Sequence, residues 1–331
     1  MPSFIARRFL YMLPILLVVT FIIFLLMYFQ PGNAVDKLCG LACPKELRAQ
    51  LIAHYGLNKP MLVQYFNWLK GVVTQLDFGY STSYQGPALQ ALLGENRWLY
   101  TLLVLSASML ISWLIAVPIG IYSATHKYSI ADHTFTLLGF LGLSIPNFIL
   151  GLLFLWLVVG VFHLGSINHF FQVGGFLNPG LMGKPWNLTV VLNFLWHFLP
   201  PVFIIGAASM AAIIRYMRGS LLDVLGMEYV QTARAKGLRE RVVIWKHAVR
   251  NAINPLISML GFWVPYLMEG ALIIAVVFNL PQIEKTFIQA IENRDNPVVM
   301  SGLFVFSVIL LLGNLAADIL LAISDPKIRY E

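Results

Sequence analysis

The chain has 331 residues, of which 59% are hydrophobic and 11% charged, and its net charge is +7. Soluble domains contain roughly 45–50% apolar residues, so this composition excludes an ordinary soluble protein. Runs of about 18 or more apolar residues instead predict helices that cross a membrane. The excess of Lys and Arg comes with no nucleic-acid-binding motif, so no nucleic-acid partner is expected.

Six apolar segments are long enough to span the bilayer as helices. They lie at residues 9–29, 99–124, 134–163, 190–216, 253–278 and 298–322. The first is too long for the apolar part of a signal peptide and is followed by no cleavage site, which predicts an uncleaved anchor. The fourth contains Pro200-Pro201, where a kink is expected. The sequence therefore predicts an all-α integral membrane protein with six transmembrane helices.

Lys and Arg are distributed unequally between the segments that connect these spans. With the N-terminus in the cytoplasm, the inner segments hold 13 Lys and Arg in 64 residues, and the outer segments hold 9 in 116. Positively charged connections stay on the cytoplasmic side. The N-terminus and the C-terminal tail (323–331) are therefore both predicted inside, in contact with the lipid bilayer through the spans.

The outer segment 30–98 is too long for a simple connection and predicts a small folded cap outside the membrane. Residues 44–55 and 60–75 have the apolar spacing of amphipathic helices, whereas the other outer segments, 164–189 and 277–297, are rich in Gly, Asn and Pro. Cys39 and Cys43 lie in the cap. Outside the cytoplasm a disulfide between them is permitted, and two unpaired thiols are the alternative.

The largest cytoplasmic segment is a basic loop at residues 217–252, predicted to form two short helices separated by Gly237. Glycine supplies the left-handed turn that ends a helix. The predicted apolar faces comprise Val224, Leu225, Tyr229, Thr232 and Ala233 before that turn, and Val242, Val243, Trp245, Ala248 and Val249 after it. A helix lying on anionic lipid is one interpretation. The small residues Ala233, Ala235 and Gly237 favour docking in a protein groove instead.

The pattern EYVxTARAKGL followed by HAxRNAxxP resembles the cytoplasmic "EAA" loop of permease subunits of ABC importers, in their dipeptide, oligopeptide and nickel form. Further similar fragments cover nearly the whole chain, including DFGYS at 77–81, LSIPNF at 143–148 and LLAISDPKIRY at 320–330. The resemblance implies a type I importer permease fold, in which the first loop helix couples to an ATPase. The matching residues are Glu228, Tyr229, Ala233, Ala235, Gly237, His247, Ala248, Arg250, Asn251 and Pro255.

The resemblance also implies the partners: a second homologous permease, two ABC ATPase subunits and an extracytoplasmic substrate-binding protein, in the bacterial cytoplasmic (inner) membrane. GLMGKP at 180–185 lacks the spacing of a phosphate-binding loop, so ATP and Mg²⁺ are expected in the partner subunits. No catalytic residue, cofactor or metal site is expected in this chain, and a metal site at His163 and His169 is not favoured. The chain is predicted to be a transport subunit and not an enzyme.

Two features inside the spans are candidates for lining a translocation pathway. Pro146-Asn147 interrupts the third span, and the resemblance places this SIPxF stretch, which includes Ser144, in the translocation region; a packing kink is the alternative. Glu269 lies in the fifth span, where a carboxylate exposed to lipid is costly. An interhelical hydrogen bond or an interfacial position is the alternative. Many members of the family have Gly here and Glu near Ala275, a departure that weakens transfer of a peptide substrate.

The predicted function is thus that of a permease subunit of an ATP-driven, binding-protein-dependent importer for short peptides, with oligosaccharides and nickel complexes as alternatives. Its predicted parts are 1–29 (tail and first span), 30–98 (cap) and 99–322 (permease core with the coupling loop 217–252). A stand-alone secondary transporter or channel would require an internal repeat or paired intramembrane charges, for which Glu269 and Asp318 are the candidates. An intramembrane enzyme would require a nucleophile–base or metal constellation, which the spans lack.

Overall fold

The computed structural model describes residues 2–30, 35, 44–54, 56–167 and 169–324, so Cys39 and Cys43 lie outside the described residues. The first helices in chain order are α1 (Pro2–Tyr28), α2 (Lys45–His54), α3 (Met61–Gln75), α4 (Ala88–Leu93), α5 (Arg97–Thr125), α6 (Ile130–Ser144), α7 (Asn147–Leu155) and α8 (Leu164–Ile167). They are followed by α9 (Leu188–Leu225), α10 (Glu228–Ala235), α11 (Glu240–Val242), α12 (Arg250–Ala252), α13 (Asn254–Ser258), α14 (Leu260–Val277), α15 (Ile283–Glu292) and α16 (Asn296–Ser324).

Short irregular elements and one hairpin lie between these helices or continue them. The π-helix Trp156–Val161 continues α7, and the π-helix Val243–Val249 joins α11 to α12. Two 3-10 helices, His169–Phe171 and Pro179–Leu181, lie before α9. A small antiparallel hairpin pairs Tyr80–Ser81 with Gly86–Pro87.

Four helices among the described residues are long and apolar enough to cross a membrane by themselves: α1, α5, the first part of α9, and α16. Two further stretches, α6 with α7 and α11–α13 with α14, pass the same test together but are bent by more than 40° at a short break. If each bent pair is one span, the described residues contain six, as predicted. The break between α6 and α7 falls at Ile145 and Pro146, whereas α9 remains helical through Pro200-Pro201.

The chain divides into two compact units: Leu99–Lys285 with the chain from Leu312, and Pro2–Trp98 with Thr286–Leu311. In the first unit, α5 packs closely on α9. A Cβ on Gly120 would lie 2.7 Å from Met217 Cβ, and Ser112 Oγ donates to the carbonyl of Gly206 at 3.1 Å. Small residues allow such close helix approach within a membrane. This contact supports the end of α9 that leads into the basic loop.

The second unit contains α1 and the cap helices. Ile23 and Phe24 of α1 are buried with Tyr65 of α3, whose hydroxyl lies 3.1 Å from Thr20 Oγ1. The predicted helices at 44–55 and 60–75 are confirmed as α2 and α3. The hairpin and α4 were not predicted. Asp295 fixes the hairpin because its Oδ2 accepts hydrogen bonds from Ser81 Oγ at 2.6 Å and from the Ser83 amide at 3.0 Å.

A wholly buried carboxyl lies in the first unit, at the start of α15. Glu284 Oε2 accepts a hydrogen bond from Thr101 Oγ1 at 2.6 Å, and the same Thr101 oxygen accepts from the Ile283 amide at 3.1 Å. Burial raises the pKa of Glu284 to about 7, against the lowering effect of the Thr101 hydrogen bond. The segment 277–297 thus contains the helix α15 with a buried face, whereas its Asn and Pro content had suggested a loop throughout.

Candidate functional site

The basic loop folds as α10 packed against the helix that follows it. Val230 and Ala233 of α10 are buried with Val243, and Val224 and Leu225 pack beside them. These two α10 residues are three positions apart, so they share one helix face. The predicted apolar face is wrong for Tyr229 and Thr232, whose side chains are exposed, and it omitted Val230.

The second helix of the loop also presents a different face from the predicted one. Val243, Ala248 and Val249 are buried as predicted, but Val242 and Trp245 are exposed. The region is a π-helix from Val243 to Val249. A π-turn holds more residues than an α-turn, so it shifts which side chains face the core.

The end of α10 is a Schellman motif. The Gly237 amide donates to the carbonyl of Arg234 at 2.9 Å, and the Leu238 amide donates to that of Ala233 at 3.4 Å. Gly237 has φ +73, which confirms the predicted left-handed turn. A Cβ there would meet no atom within 4 Å, so the requirement for glycine comes from the backbone conformation and not from crowding.

Three polar contacts tie the loop together. Asn251 Nδ2 donates to the Tyr229 hydroxyl at 2.8 Å, and Arg234 Nη2 lies 2.7 Å from Glu240 Oε1. Ser220 Oγ of α9 donates to the carbonyl of Ala252 at 2.8 Å. The first contact joins two residues of the matched motif, so its two halves meet in space although 22 residues separate them. The first two contacts therefore fasten α10, near its beginning and near its end, to the segment 240–251.

The motif residues divide into an exposed face and a support. Glu228, Tyr229 and Ala235 are exposed on α10 together with Met227, which immediately precedes the helix. Ala233 instead packs inside the loop. The remaining motif positions lie on the supporting helix and its continuation: Arg250, Asn251 and Pro255 are exposed, His247 is half-buried and Ala248 is buried. The exposed face of α10 offers the Glu228 carboxylate and the Tyr229 ring, with the small Ala235 at its end, which suits docking into a protein groove.

The break between α6 and α7 opens onto a cavity shared with α14. This cavity, called the Glu269 cavity below, has a volume of about 260 Å³. Its lining residues are Ile145, Pro146, Asn147, Phe148, Tyr266, Glu269, Gly270 and Ile273. Three of the four predicted pathway residues thus lie together. The fourth, Ser144, is not in the lining, and its hydroxyl donates to the carbonyl of Phe140 at 2.8 Å.

Two glycines bring the walls of this cavity together. A Cβ on Gly270 would lie 2.7 Å from Asn147 Nδ2, and a Cβ on Gly151 would lie 2.9 Å from Ile274 Cδ1. Asn147 and Gly151 belong to α7, whereas Gly270 and Ile274 belong to α14. Sequence reasoning missed Tyr266 and Ile273, which could have been found because they are three and four positions from Glu269 on the same helix face.

Glu269 itself lies in the middle of α14 and is exposed on this chain. Among the described residues it makes no hydrogen bond or ion pair. The alternative in which Glu269 ties two helices of this chain by a hydrogen bond is therefore not supported. No group of three His, Cys, Asp or Glu side chains in the described part of the chain is placed to hold a metal ion.

Comparison with known proteins gives matches over the whole chain. The family described as binding-protein-dependent transport system inner membrane component matches residues 116–330, and the N-terminal region of such membrane components matches residues 1–112. The chain is 37% identical over 332 residues to the oligopeptide transport system permease protein AppB of Bacillus subtilis. It is 31% identical to the dipeptide transport system permease protein DppB of Escherichia coli K12 and 30% identical to the glutathione transport system permease protein GsiC of Salmonella choleraesuis. Each alignment covers 100% of both chains.

Proposed function

Because the chain belongs to the family of binding-protein-dependent transport system inner membrane components, we propose that it forms half of the substrate pathway of an ATP-driven importer for short peptides. The relatives at 37% and 31% identity are named as oligopeptide and dipeptide permeases. Their names support peptides over oligosaccharides or nickel complexes. The other half of the pathway is a second, homologous permease.

The observation that carries this proposal is the geometry of α10. The helix is short, its outer face is exposed at Glu228 and Ala235, and its inner face is fixed by Val230 and Ala233 against Val243. A rigid element transmits a displacement instead of absorbing it. When an ATPase subunit binds the outer face of α10 and moves, α10 therefore displaces α9. The helix α9 also packs on α7 and α14, which line the Glu269 cavity.

The proposed importer contains further subunits. Two ATPase subunits bind ATP and Mg²⁺ on the cytoplasmic side, one on each permease, and this chain hydrolyses nothing. A binding protein delivers the peptide from outside, where the cap (30–98) helps to receive it. The N-terminus and the C-terminus lie in the cytoplasm, as the Lys and Arg distribution supports. The complex resides in a bacterial inner membrane, as the description of the family supports.

Uptake by the reconstituted complex tests the proposal. Proteoliposomes that contain both permeases and the ATPases should accumulate peptide only with ATP and loaded binding protein, and the isolated chain should bind no ATP. Glu228→Lys should reduce copurification of the ATPase or uncouple hydrolysis from uptake, because it reverses a charge on the exposed face of α10. Glu292→Lys reverses an exposed charge on α15 and is the matched control. Uptake without ATP would identify a channel or secondary transporter, and nucleotide binding by the isolated chain would also contradict the proposal.

A further inference from the structure

Glu269 is an ionisable group that makes no hydrogen bond or ion pair in the part of this chain that the structure describes. Its position in the middle of the membrane-spanning helix α14 makes exposure to lipid costly. An intramembrane carboxylate of this kind faces a water-filled space or meets a cation. Glu269 lines a cavity at the break between α6 and α7, so its own chain provides an open space beside the carboxylate.

The lining of the Glu269 cavity has the chemistry of a cation site. Its polar atoms include the Glu269 carboxylate and the Asn147 side chain, whose Oδ1 is buried without a hydrogen-bond partner. No Lys, Arg or His is among the lining residues. Phe148 and Tyr266 add aromatic rings, which attract a cation through their π faces. An anionic group would meet an uncompensated negative charge here.

The size of the cavity limits what it holds. At about 260 Å³ it is smaller than the roughly 300–1,000 Å³ of sites that enclose a drug-sized ligand. It therefore accommodates one end or one side chain of a peptide and not the whole molecule. Every unmodified peptide carries an ammonium group at its N-terminus, and a lysine side chain adds a second one.

We propose that the Glu269 cavity is a subsite for the ammonium group of a peptide in transit, with the Glu269 carboxylate as counter-charge and the polar Asn147 side chain in the lining beside it. This inference rests on the proposed importer function, and it names the part of the substrate that the permease itself recognises. The same carboxylate disfavours the peptide's C-terminal carboxylate at this point. The peptide therefore passes the break at Pro146 with its ammonium group held on α14.

A thiol-reactivity measurement tests the site without reference to transport. Ile273 lies one turn after Glu269, lines the cavity and is 48% exposed, so Ile273→Cys reports on the local field in the assembled complex, with Cys39 and Cys43 replaced by Ser. The aminoethyl and hydroxyethyl methanethiosulfonates differ chiefly in the ammonium charge. We expect the ammonium reagent to be favoured by about tenfold, the order expected for opposite unit charges a few ångströms apart near water.

The variants decide the interpretation of that ratio. Glu269→Gln in the Ile273→Cys background should bring the ratio of the two rates close to that of the free reagents, whereas Glu292→Gln should leave it unchanged. An unchanged ratio in Glu269→Gln would overturn the proposal. The proposal would also fail if neither reagent reaches the thiol of Ile273→Cys from water, because the cavity would then face lipid or a partner helix.

Uptake of three peptides identifies the ammonium group that is bound. The peptides are trialanine, N-acetyl-Ala-Lys-Ala and N-acetyl-trialanine, each supplied on loaded binding protein and expressed as the rate per loaded complex. Glu269→Gln should slow by about tenfold the peptides whose ammonium the site binds: trialanine for the N-terminal group, and N-acetyl-Ala-Lys-Ala for the side chain. N-acetyl-trialanine should be unaffected.

The outcomes separate this inference from the function on which it rests. Equal effects of Glu269→Gln on all three peptides, or no effect on any, would contradict the ammonium subsite. A wild-type complex that imports none of the peptides would contradict the importer function, while the thiol ratio would still decide whether the cavity attracts cations. Copurification of all subunits with Glu269→Gln shows that the variant has assembled.

Discussion

The ion pair between the buried Asp132 and the partly exposed Arg218 gives a prediction whose magnitude follows from the structure. Arg218 Nε lies 2.8 Å from Asp132 Oδ1, and Arg218 Nη2 lies 2.9 Å from Oδ2. The Asp132 side chain is 2% exposed and that of Arg218 is 26% exposed. The pair fastens the first turn of α6 to α9, close to the end of α9 that leads into α10.

Arg218→Met should destabilise the protein by about 3 kcal/mol. Breaking a buried pair by removing one partner costs roughly 3–5 kcal/mol, because the other charge stays buried and unpaired. The lower end applies here, since Asp132 Oδ2 also accepts from the Tyr128 amide at 2.9 Å and lies at the positive N-terminus of α6. Replacing both partners, in Asp132→Asn with Arg218→Met, should recover part of this loss because no charge is then left buried.

The measurement is the free energy of unfolding in mixed micelles, followed by tryptophan fluorescence over a titration with an ionic detergent. A double-mutant cycle isolates the coupling between the two side chains. Arg234→Met is the internal control, because the Arg234–Glu240 pair is 36% and 56% exposed and surface pairs contribute about 0–1 kcal/mol. Equal losses for Arg218→Met and Arg234→Met, or additive effects in the cycle, would refute this reasoning.

Three further predictions use other features of the described residues. The pKa of Glu284 is about 7 in the folded protein against a reference value of 4.5, so this carboxyl ionises in the unfolded chain first as the pH rises. The free energy of unfolding should therefore fall by about 3 kcal/mol between these pH values. Glu284→Gln should abolish that fall in unfolding curves measured from about pH 4 to 8. Gly120→Ala should lower the free energy of unfolding by roughly 1–3 kcal/mol, because the new Cβ would lie 3.0 Å from the carbonyl oxygen of Ile214. Gly219→Ala is the control and should cost nothing, because a Cβ there would meet no atom within 4 Å. Gly237→Ala should destabilise the end of α10 by about 1 kcal/mol and weaken copurification of the ATPase. Gly237→Asn should have a milder effect because Asn tolerates positive φ. Equal copurification of the ATPase with both variants and the wild type would show that the turn does not position α10.

The long apolar segments made the spans predictable, since a hydrocarbon layer imposes both their length and their composition. Their ends were less predictable. The helix α9 continues to Leu225 although the apolar segment ends at residue 216, because a helix that leaves the bilayer no longer needs apolar side chains. The helix α15 was hidden by its polar composition, although Ile283, Phe287 and Ala290 have helical spacing and are buried.

In the candidate sites, too, features set by one residue were predictable from the sequence, and contacts between distant residues were not. Gly237 and the break at Pro146 were predictable because each conformation follows from one residue type. The burial of Ala233 and the exposure of Tyr229 depend on where α10 meets Val243, which the sequence of α10 alone does not specify. Likewise, the hydrogen bond between Asn251 and Tyr229 and the pairing of Glu284 with Thr101 join residues far apart in the chain.

Site-specific photo-crosslinking from Ala235 tests the central claim, that an ATPase subunit drives this permease through α10, most directly. Ala235 is exposed at the end of α10, and Trp186, 67% exposed before α9, is the matched control on the opposite side of the predicted membrane topology. A photoreactive side chain at Ala235 should capture the ATPase subunit in membranes, and the same side chain at Trp186 should not. Absence of an ATPase adduct from Ala235, or an equal yield from Trp186, would contradict the account.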